Sequence, residues 1–391
     1  MQYDTATEPA AADVRPRATR LTGVDATRGL ALLGMMAVHV LPGVDPDGGT
    51  STAYLVASGR SAAAFAVLAG VGLALASGGQ RPLQRAKWPG AAAALAVRAL
   101  LIGAIGLALG YADSVAVILA YYAVLFVLAI PLLRLRPAVL AGIAVTAAVV
   151  VPVASHLLRA DLAAPDRGNP TFTTLLENPG GLLLVLGLTG YYPVLAWTTY
   201  LCAGLAAGRL PLRSTAVAGG LLGGGVALAL AASAMSWLLL GPLGGRQRVL
   251  ATTPADFDPA ALDQGWFGTT PPTTAWWLAL DSPHSSTPFD LLHTTGTSLA
   301  LLGALLLFAR VASRLLVPLA AAGGMTLTLY TTHVLLLSSS LLPAEPLTSY
   351  AIQVAAALAI AMLWRRWVGR GPFEAAIARA SRQASRAAHT G

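Results

Sequence analysis

Long apolar runs alternate with short polar or Pro/Gly-rich turns along almost the whole chain. Ten such runs lie near residues 23–41, 53–77, 91–110, 115–133, 138–157, 182–208, 216–240, 289–310, 317–340 and 349–367. Each approaches or exceeds the roughly 20 apolar residues that an α-helix needs to cross a bilayer. The pattern predicts an all-α, polytopic integral membrane protein of about ten transmembrane helices. Two stretches depart from it. The sixth run is too long for one straight crossing and is interrupted by Gly190 and Pro193, which predicts a kink or a short re-entrant piece. Residues 241–288 form a long loop bearing Trp266, Phe267, Trp276 and Trp277, and loops of that length are usually functional or disordered.

Composition sharpens this picture. Of 391 residues, 56% are hydrophobic and only 11% charged, which excludes an ordinary soluble domain. The net charge of +8 is a matter of topology. With ten crossings, 20 of the 25 basic residues fall on the side of the two termini, the exceptions being Arg60, Arg159, Arg167, Arg246 and Arg248. The opposite side holds 12 of the 17 acids. The positive-inside rule therefore puts both termini in the cytosol and the loop 241–288 outside a cell membrane. Nothing in this distribution asks for a nucleic-acid partner. Residues 1–20 read as a disordered cytosolic tail without the pattern of a signal peptide, 21–368 as the membrane domain, and 369–391 as a basic cytosolic tail. Cys202 is the only cysteine, so neither an internal disulfide nor a cysteine-based zinc site is available.

Candidate chemistry begins on the first run, DATRGLALLGMMAVH, from Asp25 to His39. Arg28 and His39 are eleven residues apart, about three turns plus 20° of helix, so they share one face and stand roughly 16 Å apart along the axis. Asp25 is placed for an i,i+3 ion pair with Arg28. Ionisable side chains at membrane depth are costly and usually mark working sites. Arg60, His293 next to Asp290, and His333 on a stripe with Tyr330 and Thr326 all fall in the outer half of their spans, as His39 does. Either each is a polar residue satisfied by a neighbouring helix, or the four share one polar cavity; the cavity is the preferred reading. No two histidines stand at i,i+3 or i,i+4 spacing, so no metal site is expected. His156, His284 and His389 read as solvated. No P-loop, no dinucleotide-binding glycine motif and no nucleophile elbow is present.

The stretch RLTGVDATRGLALLGMMAVHV resembles the first helix of the transmembrane acyltransferase superfamily. That superfamily includes the heparan-α-glucosaminide N-acetyltransferases, the bacterial YeiB-like proteins and the type-3 acyltransferases. The likeness continues in GRSAAAFAVLAGVGLAL (59–75), YYPVLAWTTYLCAGLAAGR (191–209) and GGMTLTLYTTHVLL (323–336), and is nearest the heparan-glucosaminide and YeiB-like type. Type-3 acyltransferases carry Arg-x10-His on this helix, the spacing of Arg28 and His39. The heparan-glucosaminide type relies on a histidine in the following loop, which here, as PGVDPDGGTSTAY, has none, and Arg60 stands where that type has an acidic residue.

The resemblance implies an enzyme that moves an acyl group, acetyl above all, from cytosolic acyl-CoA to a sugar hydroxyl or amine reached from outside. His39, His333 and His293 are then the candidate catalytic residues, and Arg60, Asp290, Tyr330, Thr326 and Tyr192 the candidates for acceptor binding. Asp25, Arg28, Arg81, Arg85, Lys87 and Arg98 would meet the donor on the cytosolic side. The extended pantetheine arm is about as long as the Arg28–His39 separation. Acyl-CoA would be a co-substrate, with no permanently bound cofactor. The partners are the bilayer, the donor and a carbohydrate or glycoconjugate acceptor, with a homodimer left open. The rival is a permease whose intramembrane His and Arg side chains line a substrate or proton path. A scaffold without activity is a third reading.

Overall fold

A computed structural model describes residues 21–162 and 168–390. The tail 1–20 lies outside the described residues. The structure is 73% helix and has no strand among the described residues. The main helices are α1 (Thr22–Val40), α2 (Arg60–Ala76), α3 (Trp88–Leu109), α4 (Leu119–Leu132), α5 (Pro137–Leu158), α6 (Val194–Gly208), α7 (Thr215–Leu240), α8 (Pro288–Ala312), α9 (Val317–Gly323), α10 (Thr326–Leu337), α11 (Pro346–Trp367) and α12 (Pro372–Thr390). Prolines at the first turns of α5, α8 and α11 fix the backbone for a helix start at no loss of hydrogen bonding. The Ser214, Thr287 and Glu345 side chains cap α7, α8 and α11 by accepting from their first free N–H groups.

All ten predicted runs become helix. Among the described residues six helices are long and apolar enough to cross a membrane, or up to eight if each of two bent pairs is one span. The chain is therefore a multi-pass membrane protein. The bend expected in the sixth run is present: Pro179–Thr189 and Val194–Gly208 meet at 54°, with a π-turn over Val185–Thr189 just before Gly190. The ninth run was expected to be one straight crossing. Instead α9 and α10 meet at 80°. The break falls at Gly324 and Met325, and the freed N–H groups of Leu327 and Thr328 are taken up by the Glu374 carboxylate at 2.8 and 3.2 Å. The stretch read as a basic tail forms α12, an amphipathic helix packed along α3 with Ile377 buried.

Close approach of small residues sets the packing, because lipid provides no hydrophobic drive between helices. Gly204 of α6 lies directly against the backbone of Val67 in α2, where a side chain would fall inside the Val67 carbonyl. Gly323 of α9 meets the Asp25 carbonyl of α1 in the same way. Gly204→Ala should therefore separate α2 from α6 and destabilise the protein by about 1–3 kcal/mol, the usual cost of overpacking. A melting temperature in detergent equal to the native one would contradict this contact.

α1 runs through the middle of the bundle. From its beginning, the proximal face, to its end, the distal face, it touches α8 near Leu306, α9 near Leu319, α2 near Ser61, α11 at Tyr350 and α10 at His333. The loop 241–288 is ordered: Trp266, Trp277, Leu262, Val249 and Leu280 form a small core of their own at the distal end of the bundle. Its ion pair, Arg246–Asp263 at 3.0 Å, is exposed.

Candidate active site

The first group lies where the distal end of α1 meets α10 and α11. His39, the last residue but one of α1, places Nδ1 3.1 Å from Nε2 of His333, the two rings within 9° of parallel. His333 is buried, and its Nδ1 lies 2.7 Å from Oε1 of Gln353 on α11. An amide oxygen only accepts, so His333 carries its proton on Nδ1 and offers the Nε2 lone pair to the Nδ1–H of His39. Nε2 of His39 is left as a lone pair, the form a general base requires. Gln353 Nε2 completes the chain with Ser349 Oγ at 3.3 Å. The sequence reading passed over Gln353. Its signal was a polar pair at i,i+4, Ser349 and Gln353, inside an otherwise apolar run.

The second group surrounds Arg60, the first residue of α2. Its Nε donates to Nε2 of His293 at 3.2 Å, and its Nη1 to the Leu55 carbonyl. His293 is thereby neutral with its proton on Nδ1, which donates to Ser233 Oγ at 2.8 Å. Asp290, buried one turn before His293, accepts from the Ser286 N–H at 2.9 Å through Oδ2, while its buried Oδ1 has no partner among the described residues. So the four predicted outer residues fall into two sets, His39 with His333 and Arg60 with His293. Among the described residues no three His, Cys, Asp or Glu side chains converge as metal ligands.

His284 links the sets and corrects the expectation that it is solvated. It is enclosed between Phe267, whose ring stacks at 5.8 Å, and Tyr192, edge-on at 5.7 Å. Its Nε2 accepts the Gly59 N–H at 3.2 Å, directly before Arg60. It also lies within electrostatic range of His39. Burial pushes the His284 imidazole from 6.5 down to about 4. Protonation would also cost it the Gly59 bond. The unfolded chain thus takes up this proton near pH 6.5 and the folded one only near 4, so stability is full above that window and is lost as pH falls through it. Thermal melts from pH 7.5 to 4.5 should show this decline, and His284→Gln should lessen it; equal slopes for both proteins would exclude His284. His156 is also buried rather than solvated, beside Arg159, which donates to Thr270 O at 2.8 Å. The side chain of His389 lies outside the described residues.

The remaining predicted residues divide by depth. Tyr192 is buried and donates to Ala116 O at 3.1 Å. Tyr330 is buried one turn before His333. Thr326 begins α10, seven residues before His333, and so lies at the bend rather than at the histidines. On the proximal side Arg28 pairs with Asp25 at 3.2 Å and donates to Leu68 O at 3.3 Å. Arg98, midway along α3, lies over the Phe126 ring at 5.0 Å. Arg28 and Arg98 are within electrostatic range of each other, while Arg81, Arg85 and Lys87 sit in the connection that leads into α3. The expected basic cluster is therefore two tiers, a deep pair and an outer rim.

A family model of the heparan-alpha-glucosaminide N-acetyltransferase catalytic region matches residues 20–231, more than half of the chain. The chain belongs to this family. No curated protein matches it. Membership makes the protein an acetyltransferase-type membrane enzyme. The matched region holds α1, α2 and α6, with Asp25, Arg28, His39 and Arg60. It stops within α7, so the partners of those residues on α8, α10 and α11 come from the part of this N-acetyltransferase-family chain beyond the match.

Proposed function

We propose that the protein transfers an acetyl group from acetyl-CoA, reached from the proximal, cytosolic face, to a sugar hydroxyl or amine held at the distal, outer face of a cell membrane. In this reading the chain crosses ten times with both termini inside. One observation carries the assignment of the base: His39, on the helix whose opposite end bears the Asp25–Arg28 pair, meets His333 of α10 at 3.1 Å. Nε2 of His39 takes the proton of the acceptor O–H or N–H as the oxygen or nitrogen attacks the thioester carbon. The C–S bond breaks, the acetyl group is left on the acceptor, and the departing thiolate receives the proton from the imidazolium. Arg60, with the buried Asp290 in electrostatic range, supplies a cation beside which the sugar would lie. The test is purified protein in nanodiscs with radiolabelled acetyl-CoA and a panel of amino sugars and glycosides. Labelled sugar with stoichiometric CoA release is expected. Absence of CoA binding, together with solute flux in proteoliposomes, would replace the enzyme by a permease.

A further inference from the structure

The C-terminal helix carries a cleft that the two-tier basic arrangement does not include. α12 is held in place on one side by packing along α3 and by Glu374, which grips the start of α10 through Leu327 N at 2.8 Å and Thr328 Oγ1 at 2.6 Å. On its other side Ala375, Arg379 and Arg382 recur at i, i+4 and i+7 and so form one stripe. With Val368 and Arg370, before and within the α11–α12 turn, they line a cleft of about 520 Å³. All three arginines are exposed, and none of their guanidinium groups has a carboxylate or hydrogen-bond partner among the described residues.

Three uncompensated cations around one concavity repel one another and favour a polyanion over a single charge. The volume is of small-molecule size, within the range of roughly 300–1,000 Å³ typical of ligand sites and far more than one phosphate fills. Val368 and Ala375 add an apolar wall. The deep tier lies close by, because Arg98 stands on α3, the helix that α12 packs along. α12 packs along α3, the helix that the rim cations Arg85 and Lys87 lead into.

We infer that this cleft binds the nucleotide end of acyl-CoA, Arg370, Arg379 and Arg382 holding its pyrophosphate and ribose phosphate, so that the pantetheine arm runs inward past Arg98 and Arg28. The inference rests on the acetyl-CoA reading above. It makes α12 a part of the enzyme rather than a tail, and Glu374 the latch that positions it.

The experiment is calorimetric titration of CoA, 3′-dephospho-CoA and pantetheine into the full-length protein in phosphatidylcholine nanodiscs, repeated in discs containing phosphatidylglycerol. Charge-assisted hydrogen bonds are roughly twice as strong as neutral ones. The R379A/R382A double variant should therefore lose at least about tenfold in CoA affinity and most of its preference for CoA over pantetheine. In turnover it should raise the KM for acetyl-CoA with kcat little changed. Arg386→Ala, outside the cleft, should bind as the native protein does. Because these side chains are exposed, the fold is checked simply by an unchanged melting temperature. Native CoA affinity in the double variant would overturn the cleft while leaving the acetyl-CoA reading intact. A loss confined to phosphatidylglycerol discs would also overturn it and give the cleft to a lipid headgroup. If the native protein itself binds no CoA, both readings fall together.

Discussion

His39→Asn should abolish most acetyl transfer, by about 10²–10⁴-fold, the usual contribution of a positioned general base, while acetyl-CoA affinity and melting temperature stay close to native. The reason is local. His39 is half-buried at the end of α1, with Nε2 of His333 at 3.1 Å as its hydrogen-bond partner among the described residues. Asparagine can still donate to His333 from its amide nitrogen, so the packing of α1 on α10 is kept. What it lacks is a second nitrogen with a free lone pair. His333→Ala should weaken the reaction less, because it removes the group that fixes the His39 tautomer and leaves the base itself. Single-turnover rates with pre-bound acetyl-CoA separate chemistry from donor binding. Near-native single-turnover rates for His39→Asn would move the base elsewhere, with His333 the next group to test.

Arg209→Met should destabilise the proximal half of the bundle by at least about 1.5–3 kcal/mol, the contribution of a single hydrogen bond to a charged group. Arg209 is 2% exposed at the end of α6. Its Nη1 donates to the carbonyls of Ala74, Gly79 and Arg81 at 2.9–3.1 Å, and its Nη2 to Leu133 O at 2.8 Å and Ser77 Oγ at 3.1 Å. Those acceptors lie at the C-terminal ends of α2 and α4, the negative poles of those helices, and in the turn between α2 and α3. One guanidinium fork ties all of them together, and methionine would leave the Gly79 and Arg81 carbonyls to water and take the charged donor from those of Ala74 and Leu133. Arg209→Lys should recover only part of the loss, because a single ammonium cannot reach both sides of the fork. The readout is chemical or thermal unfolding in detergent, with protease cleavage in residues 77–84 as a local check. Unfolding curves of the methionine variant that overlay the native ones would mean the clamp is not needed.

How much of this was legible beforehand follows from the kind of signal each feature leaves. Apolar runs mark the helices, because hydrocarbon demands about 20 apolar residues wherever the chain crosses. The Asp25–Arg28 pair was readable because its partners lie on one helix, where 3.6 residues per turn fixes their separation. The break after Gly190 was readable because a proline three residues later cannot continue a helix. Arg209 was visible as a basic residue at a helix end, but its role as a clamp was not.

What the sequence alone determined, then, is where the helices lie, which end of each is basic, and which intramembrane residues are costly enough to demand a use. Tertiary structure alone decided which of those residues meet. His39 and His333 are 294 positions apart, and Gln353 and His284 join them from other elements again. In a water-soluble helix a polar stripe would say which face turns inward. Here lipid-facing and core-facing sides are both apolar, so the rotation of each helix is set by the close fit of Gly204 on Val67 and Gly323 on Asp25 rather than by any periodicity in the chain. The bend between α9 and α10 was hidden for the same reason, since the carboxylate that satisfies its open N–H groups belongs to Glu374, nearly fifty residues further on.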